Sequence, residues 1–125
     1  MSFHWDHYLD LATELAGKPQ KTPSTEEARL RSAVSRAYYA AFCRARNELR
    51  DQRGVVDAEK RTHKQIWKRF ETGNEKDRQI ATDGDRLRRD RNAADYDDVI
   101  ENLSSVANSA LELSAGILDR LGRPR

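Results

Sequence analysis

A single cysteine, Cys43, is the whole thiol content of the chain, which excludes an internal disulfide and fits a cytosolic compartment without requiring one. Three histidines beside that cysteine show no ligand spacing, so no metal is expected. Only three prolines occur, and valine and isoleucine are outnumbered by alanine and leucine. That balance disfavours sheet, and no segment alternates cleanly as a half-buried strand would. Charge of one sign is also missing. Twenty-three basic residues meet 21 acidic ones for a net +2, well short of a dedicated DNA-binding module, so any nucleic-acid site must be a local patch. No Gly-rich phosphate loop, nucleophile elbow or pair of catalytic carboxylates is found, and no cofactor is expected. The first residues lack a signal-peptide core and no apolar run approaches membrane length, so a cytoplasmic protein without a membrane partner is expected.

What the chain has is helical periodicity. At 125 residues with 37% hydrophobic content it reads as one domain, 1–125, whose apolar positions must be well patterned. Trp5, Tyr8, Leu9, Ala12, Leu15 and Ala16 recur at helical spacing, and Gly17 closes that first helix. A linker from Lys18 to Pro23 follows. Ser24 and Glu27 predict a capping box for a second helix from about Thr25 to about Asp51. Its core stripe is Leu30, Val34, Ala37 or Tyr38, Ala41, Ala45 and Leu49. After a connection through Gly54 and Asp57, a short third helix starts near Thr62, carries Ile66, Trp67 and Phe70, and ends near Gly73. A fourth runs from about Glu75 to about Ala94 and is thin in apolar residues, with Gly84 a place where it could bend. The fifth begins near Asp97 or Asp98, capped by Asp98 with Glu101 behind it, and ends at Gly122 and Pro124. These elements predict an all-α fold, an antiparallel four- to five-helix bundle, with Tyr38, Ala41, Trp67, Leu103, Ala107 and Leu111 buried.

Two blocks stand out. Ala37-Tyr38-Tyr39-Ala40-Ala41-Phe42-Cys43 is nearly two helical turns without a charge in a chain that is 35% charged. It predicts a central helix or a subunit interface. The other block, from Arg86 to Asp98, holds Arg86, Arg88, Arg89 and Arg91 and then Asp95, Tyr96, Asp97 and Asp98 at a helix junction. Read blandly, the arginines are a solvated face, with Arg91 and Asp95 paired one turn apart. Read functionally, one or two of them contact phosphate, because guanidinium forks match phosphate oxygens. Arg36 precedes the uncharged block and shares a helix face with Tyr39. Asp95 is its favoured partner, in a network that either fixes packing or serves a site. His63 is either a helix-entry surface residue or an acid–base group. Trp67 and Phe70 belong to the core more readily than to a stacking platform.

Ser35-Arg36-Ala37-Tyr38-Tyr39-Ala40-Ala41-Phe42, then His63-Lys64, then Arg91-Asn92-Ala93-Ala94-Asp95-Tyr96-Asp97, resembles the HEPN superfamily over about residues 25 to 120. It is closest to a small prokaryotic branch with an Arg-x-x-Ala-Asp-Tyr motif. The resemblance implies a helical bundle that forms a homodimer with its polar motif near the dimer cleft. Many members are metal-independent ribonucleases or toxins paired with a nucleotidyltransferase antitoxin, with a signature of Arg followed four to six residues later by His. Here Arg91 matches the arginine, but Tyr96 stands where that histidine would be. Tyrosine is a poor base at neutral pH, so the histidine role would fall to His63 if the fold brings it close. The expectation is therefore a dimer that binds RNA or nucleotide phosphates through Arg36, Arg88 and Arg91, with Arg91, Tyr96 and His63 as catalytic candidates. Tyr39 and Asp95 are expected in a supporting network. The alternative is a non-catalytic protein-interaction module whose Arg/Asp/Tyr network is structural.

Overall fold

A computed structural model describes residues 2–122. Among them are five α-helices and no strand: α1 (His7–Leu15), α2 (Glu26–Asp51), α3 (His63–Lys68), α4 (Glu75–Tyr96) and α5 (Leu103–Arg120), with a 3-10 turn at Ala58–Lys60. Helices α2, α4 and α5 pack on one another as the central bundle, while α1 leans on α2 and α3 lies against α4 and α2. Consecutive long helices run antiparallel, which leaves α2 and α5 parallel. Ser114 of α5 donates to the Ala37 carbonyl (2.7 Å), and Arg44 donates to the Leu121 carbonyl (2.9 Å) further along both helices. No helix among the described residues is long and apolar enough to cross a membrane.

The core forms where the stripe of α2 predicts it. Val34, Tyr38, Ala41, Ala45 and Leu49 are buried together with Ile66, Trp67, Phe70, Leu87, Ala107 and Ile117. The arginine at the head of that stripe was not foreseen. Arg31, wholly buried, donates to the carbonyls of Ala94 (3.0 Å), Asp97 (2.6 Å) and Asp98 (3.3 Å), where the carbonyls of α4 run out of intrahelical donors. A cation at a helix C-terminus also suits the macrodipole. Phe3 and Trp5 lie over its guanidinium at 4.3 and 5.0 Å, and the Trp5 indole donates to Asp98 (2.8 Å). The N-terminal aromatics thus cover the α4–α5 turn.

Several local expectations move. The cap of α2 is Thr25, which accepts from the Ala28 amide; Ser24 instead donates to Glu14 and accepts from Arg29. The α3 capping box is Thr62 with Gln65, and regular helix stops at Lys68 because Phe70 turns inward from a following turn. The last helix starts later than Asp98. Asp98 is spent on Trp5, and Asn102, in the left-handed region at φ 55°, leads into α5. Leu111 is exposed (53%) and Leu103 only half-buried, because α5 turns the stripe Ala107, Ala110, Ser114 and Ile117 inward. Gly84 does not interrupt α4, which is continuous from Glu75 to Tyr96. Gly84 admits Trp67: a Cβ there would stand 2.1 Å from the indole ring. At the other end, Arg53 grips Asp77 with two hydrogen bonds of 3.0 and 3.1 Å, pinning the end of α2 to the first turn of α4.

Candidate functional site

Tyr38 is the hub at which α2, α3 and α4 meet. Its hydroxyl accepts from the Trp67 indole (3.2 Å) and lies 2.9 Å from His63 Nδ1. Trp67 and His63 are one turn apart on α3, so both reach the same side of α2. His63 stacks on Phe42 with ring centroids 3.9 Å apart, and meets Tyr39 edge-on at 6.1 Å. Arg91, from the last turns of α4, places its guanidinium 5.1 Å from the Tyr38 ring centre and 5.4 Å from that of Tyr39. The fold therefore brings His63 and Arg91, remote in sequence, onto one aromatic cluster.

The donors of Arg91 are not used up. Its side chain is 10% exposed, its Nη1 donates to Asp95 at a long 3.4 Å, and its buried Nε has no partner. An unmade hydrogen bond on a buried charged group is costly. Arg88 is held by Asp85 (2.9 Å), and Arg46 spends its fork on Asn47. Partial burial, and then the positive charges of Arg91, Arg88 and Arg46, hold the His63 imidazole below its ordinary pKa. Tyr38 is pushed up to about 12, chiefly by burial, so it keeps its proton.

That proton fixes the tautomer of His63. The Trp67 N–H only donates, so it occupies one lone pair of the Tyr38 oxygen. Tyr38 is fully buried, and among the described residues the sole acceptor for its own proton is His63 Nδ1. The arrangement that satisfies every donor runs Trp67 N–H to Tyr38 O–H to His63 Nδ1, which assigns the ring hydrogen to Nε2. His63 is then a neutral N–H donor. Accepting a proton at Nε2 needs the other tautomer, which would orphan the Tyr38 hydroxyl. Such a group serves to bind an anion better than to act as a base.

Among the described residues, Arg36 and Tyr96 make no hydrogen bond, ion pair or ring contact with this cluster, and Asp95 touches it only through Arg91. Arg36 is exposed, and its Nε donates to Ser32 (3.2 Å). The expected Arg36–Asp95 pair is not made, because Asp95 is taken by Arg91 and by the Ser35 hydroxyl (3.4 Å). Arg36 and Asp95 instead line a groove of about 450 Å³ between α1 and α2, with Tyr8 and Leu11. Tyr96 is 73% exposed and makes no hydrogen bond among the described residues. Tyr38, Phe42 and Arg46 belong to the cluster although sequence reasoning did not assign them there. The available signal was Tyr38 itself, a hydroxyl on an otherwise apolar stripe. Among the described residues no three of His, Cys, Asp and Glu converge as a metal site would require. No family model matches the chain, and no curated protein or solved structure matches it either.

Proposed function

We propose that this chain is a HEPN-like helical protein that forms a homodimer and binds RNA or nucleotide phosphates at the His63–Arg91 cluster, with little or no metal-independent cleavage of its own. One observation carries the reading: a nine-tenths buried Arg91 guanidinium with an unpartnered Nε, on the same aromatic cluster as a neutral imidazole N–H. A phosphate reaching the exposed edge of the Arg91 guanidinium would also meet the His63 N–H, and charge-assisted bonds of this kind are roughly twice as strong as neutral ones. Cleavage through a ribose 2′-hydroxyl also needs a base. Tyr96 is exposed and makes no hydrogen bond or ring contact with the cluster among the described residues, and Tyr38 holds His63 in the wrong tautomer. General acid–base help is worth about 10²- to 10⁴-fold, so its absence leaves binding without efficient turnover. The nucleotidyltransferase antitoxin that the resemblance implies would be a further partner.

The test is an assay of mixed RNA in EDTA with wild type, Arg91→Ala and His63→Ala. Wild type is expected to bind at low salt and to cleave weakly or not at all, and Arg91→Ala to lose binding. Robust cleavage that disappears in Arg91→Ala would restore the ribonuclease reading, with His63 as its base if His63→Ala is also dead. A protein-interaction module has one observation in its favour, the half-apolar groove at Arg36 between α1 and α2. Failure of wild type to bind RNA or nucleotide would shift the assignment there.

A further inference from the structure

Beside the cluster, α3 and α4 form the walls of a groove of about 520 Å³. Lys64 and Lys68 come from α3, Arg78 and Arg89 from α4, against two carboxylates, Glu71 and Asp85. Asp85 is already neutralised between Arg88 (2.9 Å) and Arg89 (3.5 Å). Lys64 and Lys68 stand one turn apart, exposed, and neither ammonium has an ion-pair or hydrogen-bond partner among the described residues. The groove therefore presents surplus positive charge that the protein itself does not use.

Its direction matters. Because α3 lies antiparallel to α4, Trp67 meets Gly84 midway, and His63 reaches the end of α4 that carries Arg88 and Arg91. Arg78 and Arg89 lie on nearly one side of α4 and mark out about 16 Å of groove at 1.5 Å per residue, with Arg88 and His63 at its cluster end. At that end Tyr39 is 41% exposed as a residue, next to Arg91 and His63. A groove with two unpaired lysines and a surplus of positive charge, leading to an accessible aromatic ring, suits a strand whose bases are free to stack.

We propose that the α3–α4 groove carries the backbone of a single-stranded polynucleotide away from the His63–Arg91 cluster, so that the ligand is a polymer and not a free nucleotide. The inference rests on the phosphate-site reading above. An acidic peptide could also lie along cations, but it would leave the Tyr39 face and the guanidinium fork of Arg91 without their natural complements, a base and a phosphate.

Binding is measured by fluorescence anisotropy in EDTA across a salt series. The probes are labelled RNA and DNA strands of about ten nucleotides, within the roughly 4–16 that single-strand sites span, and a labelled uridine monophosphate. Lys64→Ala/Lys68→Ala should weaken strand binding by about tenfold at low salt, and lower the slope of log affinity against log salt by about 1.4, two contacts at about 0.7 each. It should leave the mononucleotide unchanged. Arg91→Ala should lose both ligands, and Lys18→Ala/Lys21→Ala, which removes two exposed lysines from the α1–α2 connection, should alter neither. Either strand chemistry behaving in this way supports the groove. A strand that binds no tighter than the mononucleotide, or a Lys64/Lys68 variant indistinguishable from the Lys18/Lys21 control, overturns the groove and leaves the phosphate site standing. Wild type that binds neither ligand removes both. An acidic peptide that binds through Lys64 and Lys68 when the strands do not would overturn the polynucleotide in favour of a protein partner.

Discussion

Arg31 and Arg91 both lie against aromatic rings and both hold a buried, unpartnered Nε, yet their Nη donors meet different fates. The Nη atoms of Arg31 are spent on the exhausted carbonyls of α4, so the residue is a structural cap. Replacing it with methionine keeps much of the volume but orphans the Asp97 carbonyl and leaves the Ala94 and Asp98 carbonyls with only the Tyr8 hydroxyl and the Phe3 amide. A loss of about 3 kcal/mol in urea unfolding is expected from the bonds removed, whereas Arg36→Ala, at an exposed position, should stay within about 0.5 kcal/mol. Arg91 keeps donors in reserve, and its charge is felt by His63. In an NMR titration His63 should ionise below the ordinary histidine range, and Arg91→Ala should raise that pKa by removing a like charge. The sign for stability follows. Unfolded His63 takes up its proton near pH 6.5 and the folded form only at lower pH. Between those two points the unfolded state holds more protons, so the contribution of His63 to stability is lost as pH falls through that window. A His63→Gln variant should show a flatter decline there.

At the scale of elements, what the sequence made legible follows from periodicity, and what it hid follows from contacts across the chain. The stripe Val34, Tyr38, Ala41, Ala45 and Leu49 could be read from spacing alone, because burial on a helix repeats with the turn. The start of α5 could not, since Asp98 looks like a cap until Trp5, remote in sequence, claims it. Arg31 was hidden for the same reason: a charge on a core stripe makes sense only once the end of α4 is known to lie against it. The His63–Arg91 meeting was posed by the sequence as a condition, and the antiparallel pairing of α3 with α4 meets it. Gly84 carries that pairing. Alanine is normally the better helix residue by about 1 kcal/mol, but at this position a Cβ would clash with the Trp67 ring at 2.1 Å. Gly84→Ala should therefore destabilise by about 2 kcal/mol in thermal or urea unfolding. Gly116 is the contrast: its nearest neighbour would be the flexible end of Arg120 at 2.9 Å, so Gly116→Ala should be neutral or stabilising by up to about 1 kcal/mol.

For the whole molecule, the three-helix centre leaves large apolar side chains outside, among them Val99 before α5 and Leu111 on it. In the homodimer we propose, such surface would be covered by a second copy, a two-fold interface being the usual closure. Sedimentation at micromolar concentration should give a dimer mass, and Leu111→Glu should shift it towards the monomer; a single species of one subunit mass in the wild type would remove the dimer. The central claim is that the His63–Arg91 cluster holds a phosphate, and proton–nitrogen NMR correlation spectra of the arginine Nε–H and histidine ring groups test it most directly. On addition of uridine monophosphate in EDTA, the Arg91 Nε–H and His63 Nε2–H signals should shift together and saturate, while Arg36 and Arg50 stay in place. Signals of Arg91 and His63 that do not move, or that move only as much as those of the surface arginines, would contradict the account.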